Sequence, residues 1–131
     1  MATTSKLYNI LSASIAFVMW GLWAYFVNVG KGASSPYLYA IVQGVFSFVM
    51  TLVIVRVLQY FWVRMQGQPF ADLAPVIFTV FLTGLVLVLI HVLIATPNLI
   101  GTVIAPLTVS FAFCLFTVKK LKKSKENDGR K

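Results

Sequence analysis

Residues 73–118 read LAPVIFTVFLTGLVLVLIHVLIATPNLIGTVIAPLTVSFAFCLFTV, and the number of times this run crosses a bilayer decides the fold. With His91 neutral, the run carries no charge. About 20 apolar residues span the hydrocarbon core, so it is long enough for two crossings. Thr96-Pro97-Asn98 divides it, because proline lacks the N–H that a continuing helix needs and asparagine favours turns. Working outward, Leu7 to Gly30 and Gly32 to Val55 are also uncharged, and each has the length of one span. The expected crossings are Tyr8–Val29, Pro36–Val57, Leu73–Ala95 and Asn98–Val118. The expected fold is an all-α membrane protein of four transmembrane helices, built as two sequential helical hairpins in a single membrane domain over residues 1–131, with a basic tail over 119–131.

Composition supports that class. A chain of 131 residues is ordinarily one small soluble domain, but 60% hydrophobic residues with 11% charged is too apolar for one. Strands of a membrane barrel alternate polar and apolar over about ten residues, whereas these runs are apolar on all sides for twice that length. Lys6 before an apolar run imitates a secretory signal, yet the run is too long for one and offers no small-residue cleavage site, so it reads as a retained helix.

The net charge of +8 is first a statement of topology. With a cytoplasmic amino terminus, the inside receives Lys6, Arg56, Arg64, Lys119, Lys120, Lys122, Lys123, Lys125, Arg130 and Lys131, and the outside only Lys31. That bias places both termini in the cytoplasm. The tail LysLysLeuLysLysSerLys anchors the last helix to anionic membrane lipids, each cation near the surface contributing about 1 kcal/mol. It has no interleaved aromatics, so nucleic acid is not an expected partner.

The two halves resemble each other. Ser47-Phe48, Thr51-Leu52, Val55-Arg56 and Leu58 recur at constant offset as Ser110-Phe111, Cys114-Leu115, Val118-Lys119 and Leu121. Helices two and four are therefore expected as counterparts about an axis along the membrane normal, with Ser47/Thr51 and Ser110/Cys114 facing a shared interior.

Polar residues inside the spans are the candidate site. Gln43, Ser47 and Thr51 recur every four residues on one face of helix two, with Gly44 beside them. Unsatisfied polar groups cost several kcal/mol in hydrocarbon, so this face should turn toward other helices, for interhelical hydrogen bonding or to line a polar substrate path. Pro106, Ser110, Cys114 and Thr117 share one face of helix four, and Thr79, Thr83, Gly84 and His91 one side of helix three. Gln43, Ser47, Thr51, Arg56, Ser110 and Thr117 form the expected path. Arg56 either snorkels to the interface or serves as counter-ion to a lipid phosphate, a role that Arg64 and Lys119 could share.

Small residues Ser12, Ala13 and Ala16 let another helix approach the first half of helix one. Trp20 and Trp23 either pack or offer a stacking platform. Ser34 and Ser35 are expected to cap helix two, with Pro36 in its first turn. Asp72 is expected to open helix three at the positive end of its dipole. A lone His91 near the outer end of helix three is expected as a satisfied interfacial or helix-packing residue rather than a proton relay or metal ligand, since the spans hold no second His, Asp or Glu to complete either. Cys114, the only cysteine, is expected to be buried and inert. With no nucleophile beside a base and no paired carboxylates, neither an enzyme nor a cofactor is expected.

The layout of four short helices, with TyrPheTrpVal at Tyr60–Val63 before Arg64 and Ser110-Phe111 leading through an apolar run into Lys119-Lys120, resembles the GtrA-like family of small membrane proteins. That resemblance implies a carrier or flippase for polyprenyl-phosphate-linked sugars in cell-surface polysaccharide assembly, in a bacterial cytoplasmic (inner) membrane. A chain this small encloses little volume, so a homo-oligomer is expected. The other open class is a non-catalytic accessory subunit that packs against a larger membrane enzyme or transporter. The topology is testable: a cysteine placed in the tail should be labelled by a membrane-impermeant reagent only from the cytoplasmic side. Labelling from outside would overturn the orientation.

Overall fold

The computed structural model describes residues 2–30 and 35–130, and four helices make up almost all of it: α1 (Ala2–Asn28), α2 (Pro36–Arg64), α3 (Ala74–Leu93) and α4 (Leu99–Arg130). Each is long and apolar enough to cross a membrane, so the chain has the build of a small integral membrane protein of four helices. Leu7, Ile15, Phe26, Phe81, Ile100 and Phe116 are among many large apolar side chains left exposed on the helix faces, where lipid tails rather than water suit them.

The helices alternate in direction. At one end, Trp23 and Asn28 of α1 bond to Gly101 and Thr102 of α4, and Gln43 of α2 meets His91 of α3. At the other end, Lys125 of α4 reaches Gln66 just beyond α2, and Lys122 reaches Asp72 just before α3. The first end is the His91 end; the second collects Arg64 and the lysines of α4. Lys31 and Ser34, expected outside and in a cap, lie outside the described residues.

Two helices outrun their expected spans. α2 continues to Arg64 through the aromatic stretch, and α4 continues as helix through the basic tail to Arg130, because LysLysLeuLysLysSerLys contains good helix formers and no breaker. Pro106 lies inside α4 without ending it. The expected side-chain cap at Ser35 does not form. Ser35 occupies the N-cap position with no cap from its hydroxyl, while Pro36 takes the first turn as expected. Asp72 does not open α3 either: Leu73 is its N-cap, and the Asp72 carboxylate turns to Lys122 at 3.0 Å instead. This exposed pair holds the Lys122 ammonium above its ordinary value, through that hydrogen bond and its charge.

The end of α3 shapes the His91 end. Ala95 has φ +56, the Thr96 N–H donates to the His91 carbonyl at 2.9 Å, and the Ala95 N–H donates to Val92 at 3.1 Å. These paired bonds define a Schellman cap with alanine where glycine is usual. The cap folds the chain back so that the Thr96 side chain returns to the His91 ring.

Lipid gives little hydrophobic reason for helices to associate, so close packing and hydrogen bonds must hold them. α1 and α2 form the most extensive pair. A Cβ on Gly21 would lie 3.1 Å from the Ala40 carbonyl oxygen, and one on Gly44 3.1 Å from that of Phe17. The lysine end is closed by a dry cluster of Ile54, Leu58, Trp62, Val76, Cys114 and Val118. Cys114 is fully buried there, as expected. We expect Gly44→Val to force α1 from α2 and cost about 1–3 kcal/mol, read as earlier unfolding in a denaturing detergent titration. Gly129→Ala, with open space around it, should cost nothing.

Candidate functional site

The face of Gln43, Ser47 and Thr51 does turn inward. Those three residues line a partly open cavity of about 210 Å³, together with Trp20 of α1, Thr83 and Leu87 of α3, and Pro106 and Ser110 of α4. All four helices contribute to its wall. Ser47 and Ser110 thus face one interior, while Cys114 lies in the neighbouring dry cluster. Among the described residues, no charged side chain lines the cavity.

One wall is locked from behind. Gln43 is fully buried, and its Nε2 donates to Ser47 Oγ at 3.3 Å. Its Oε1 is therefore the end presented to His91 Nε2, 2.8 Å away, so Nε2 is the protonated ring nitrogen and donates. His91 Nδ1 then accepts from the Thr96 hydroxyl at 2.7 Å. His91 has no exposed surface and both ring nitrogens are satisfied, so it acts as the structural bridge between α2 and α3. Thr79, Thr83 and Gly84, its expected companions on one side of α3, are buried with it.

A second network closes the same end. Asn28, fully buried at the end of α1, donates to Thr102 Oγ1 at 2.7 Å and to the Ala24 carbonyl at 2.8 Å, and accepts from the Asn98 N–H at 2.9 Å. Asn98 donates from its amide to the Val27 carbonyl at 3.0 Å, and accepts from the Gly101 N–H at 3.1 Å. Sequence alone did not reveal this network: Asn98 reads only as a turn former, and Asn28 falls unremarked at the end of the first crossing. The available signal was two amides flanking the spans at one end, with Thr102 one turn beyond Asn98 on the same helix face.

The cations fall outside the cavity. Arg56 is exposed. It follows Ser47 by about two and a half turns, which puts it on the opposite side of α2. Arg64 is exposed as well and lies over the Tyr60 ring, 4.2 Å from its centre. Lys119 borders a separate groove of about 490 Å³ with Lys122, Asp72 and Phe116. Thr117 is buried, does not line the cavity, and donates to the Phe113 carbonyl at 2.9 Å. The expected path thus separates into a neutral cavity with Gln43, Ser47, Thr51 and Ser110, and a basic end with Arg56, Arg64 and Lys119. Of the two tryptophans, Trp20 lines the cavity, whereas Trp23 donates to the Gly101 carbonyl at 2.9 Å and joins α1 to α4. Among the described residues, no three His, Cys, Asp or Glu side chains are grouped closely enough to hold a metal ion.

The site belongs to a four-helix protein of membrane-spanning build. The chain matches no family model, no curated protein and no solved structure.

His91→Leu would leave Gln43 Oε1 and the Thr96 hydroxyl without their partner in a buried setting. The expected loss is about 1–3 kcal/mol, measured by unfolding in detergent. Ser14→Ala, which removes only an exposed bond to the Ile10 carbonyl, should stay within about 0.5 kcal/mol of the parent.

Proposed function

We propose that the chain is a small membrane carrier, or flippase, for a lipid with an anionic head of the polyprenyl-phosphate type, acting in cell-surface polysaccharide assembly in a bacterial cytoplasmic membrane. The observation that carries this reading is the cavity itself, to which all four helices contribute and whose mainly apolar wall, with Met50, Ile54, Leu107 and Phe113, also holds Gln43, Ser47, Thr51, Thr83 and Ser110. Such a cavity is costly in hydrocarbon, where polar groups without partners are penalised by several kcal/mol. Its retention is understandable where something polar must pass. The resemblance of Tyr60–Arg64 and Ser110–Lys120 to the GtrA-like layout supports the same substrate class.

The basic residues have a collecting role in this reading. Arg64 and Lys119, with Arg56 two turns deeper, draw the phosphate to the cytoplasmic end, and the head then reaches Gln43, Ser47, Thr51 and Ser110. Arginine suits a phosphate because its guanidinium donates in a planar fork. A cavity of about 210 Å³ is smaller than the ~300–1,000 Å³ usual for ligand pockets, so the carrier works as a homo-oligomer or opens during transport.

The test is reconstitution into liposomes with a fluorescent polyprenyl-phosphate analogue. Faster transbilayer movement than in empty liposomes is expected, slowed several-fold by Arg64→Gln with Lys119→Gln. Movement unchanged from empty liposomes, with a larger membrane protein copurifying, would replace the carrier with the accessory-subunit reading.

A further inference from the structure

The hydroxyl groups in the cavity wall are not all used by the protein. In this chain the usual way to satisfy a hydroxyl within a span is a bond to the carbonyl one turn back, as Ser14, Thr51, Thr108 and Thr117 make. Thr83 and Ser110 make no such bond, nor any other to a described residue. Thr83 is only 5% exposed and lines the cavity, so its hydroxyl has nowhere else to turn. Ser47, 7% exposed, accepts from Gln43 and keeps its own proton free. Gln43 Nε2 gives one of its protons to Ser47, and the other end of the amide is held by His91. Three helices therefore present hydrogen-bonding capacity to one small space, and no charged group among the described residues faces it.

We infer that this cavity is a binding site for an uncharged, hydroxyl-bearing group, held by Ser47, Thr83 and Ser110, with Gln43 behind Ser47 fixing its position. The volume limits the occupant to one ring or a short polyol. An anion is disfavoured while the cavity keeps this neutral lining, because nothing in the wall offsets the cost of desolvating its charge, so the phosphate of a carried lipid crosses only when the bundle opens. The assignment rests on the same cavity as the carrier reading, and divides the recognition of a lipid head: its neutral, hydroxylated part enters between the helices, while its phosphate stays with the cations at the basic end. Binding is measured without transport, so failure of one reading is distinguishable from failure of the other.

The experiment uses the full chain in detergent with Cys114→Ala, so that Met50→Cys, in the cavity wall, is the single thiol. Its rate of alkylation by a small water-soluble reagent reports access to the cavity. Glycerol and myo-inositol should slow alkylation in a saturable way, and inorganic phosphate at matched ionic strength should not. Thr83→Val with Ser110→Ala should raise the half-protecting concentration about tenfold. Thr83→Ser with Ser110→Thr, which keep the hydroxyls, should leave it within about twofold, so that loss of chemistry is separated from loss of fold. Protection by phosphate equal to that by polyols, alkylation that no polyol slows, or protection indifferent to the loss of both hydroxyls would each overturn the assignment. Saturable polyol protection with no accelerated lipid movement in liposomes would uphold the site and remove the carrier.

Discussion

The hydrogen bond from His91 Nε2 to Gln43 Oε1 is the constraint on which the arrangement of the helices depends. It joins the hairpin of α1 and α2 to that of α3 and α4, where no water competes. In lipid, apolar faces are as well solvated apart as together, so directional bonds and close fit set which helix meets which. Measured bonds of this kind average only about 0.6 kcal/mol, but breaking one leaves two buried groups unpaired. The Schellman cap at Ala95 completes the constraint, since it returns Thr96 to the other ring nitrogen and leaves His91 a single satisfied tautomer.

The two ends of the bundle are consequently held by different physics. At the His91 end two polar networks tie the helices, Gln43 with His91 and Thr96, and Asn28 with Asn98 and Thr102. At the lysine end, apolar side chains around Leu58 and Cys114 pack tightly, and the polar tie between Lys122 and Asp72 lies at the surface. The cavity occupies the level between these closures. Neither kind of packing extends there, and Pro106 in its wall cannot donate a backbone bond to the turn before it.

The number and order of the helices were legible because charge-free length is a one-dimensional signal, and Thr96-Pro97-Asn98 interrupts it where the chain reverses. The inward face of Gln43, Ser47 and Thr51 was legible too, since four-residue spacing alone puts them on one side of α2. Partners were not legible. Nothing in the spacing of His91 indicates Gln43, because that pairing depends on how two hairpins dock. The ends of α2 and α4 were underestimated for a related reason: hydropathy marks where lipid stops, while a helix continues as long as its residues favour it. Arg56 shows the same limit, as its place on α2 opposite Ser47 follows from helical phase once the inward face is known, and its proximity to other polar residues in sequence misleads.

The continuation of α4 through its lysines arranges charge in a column instead of spreading it along a loose tail. From Val118 to Arg130 the helix rises about 18 Å. The Debye length in physiological salt is about 8 Å. Lys119 and Lys120, at the base, lie within one screening length of the last apolar turn. Beyond them Lys122 pairs with Asp72 and Lys125 reaches back to Gln66, and nearer the tip Glu126 and Asp128 offset part of the positive charge. A single rigid element thereby concentrates its positive charge where the apolar span ends and carries mixed charge beyond it.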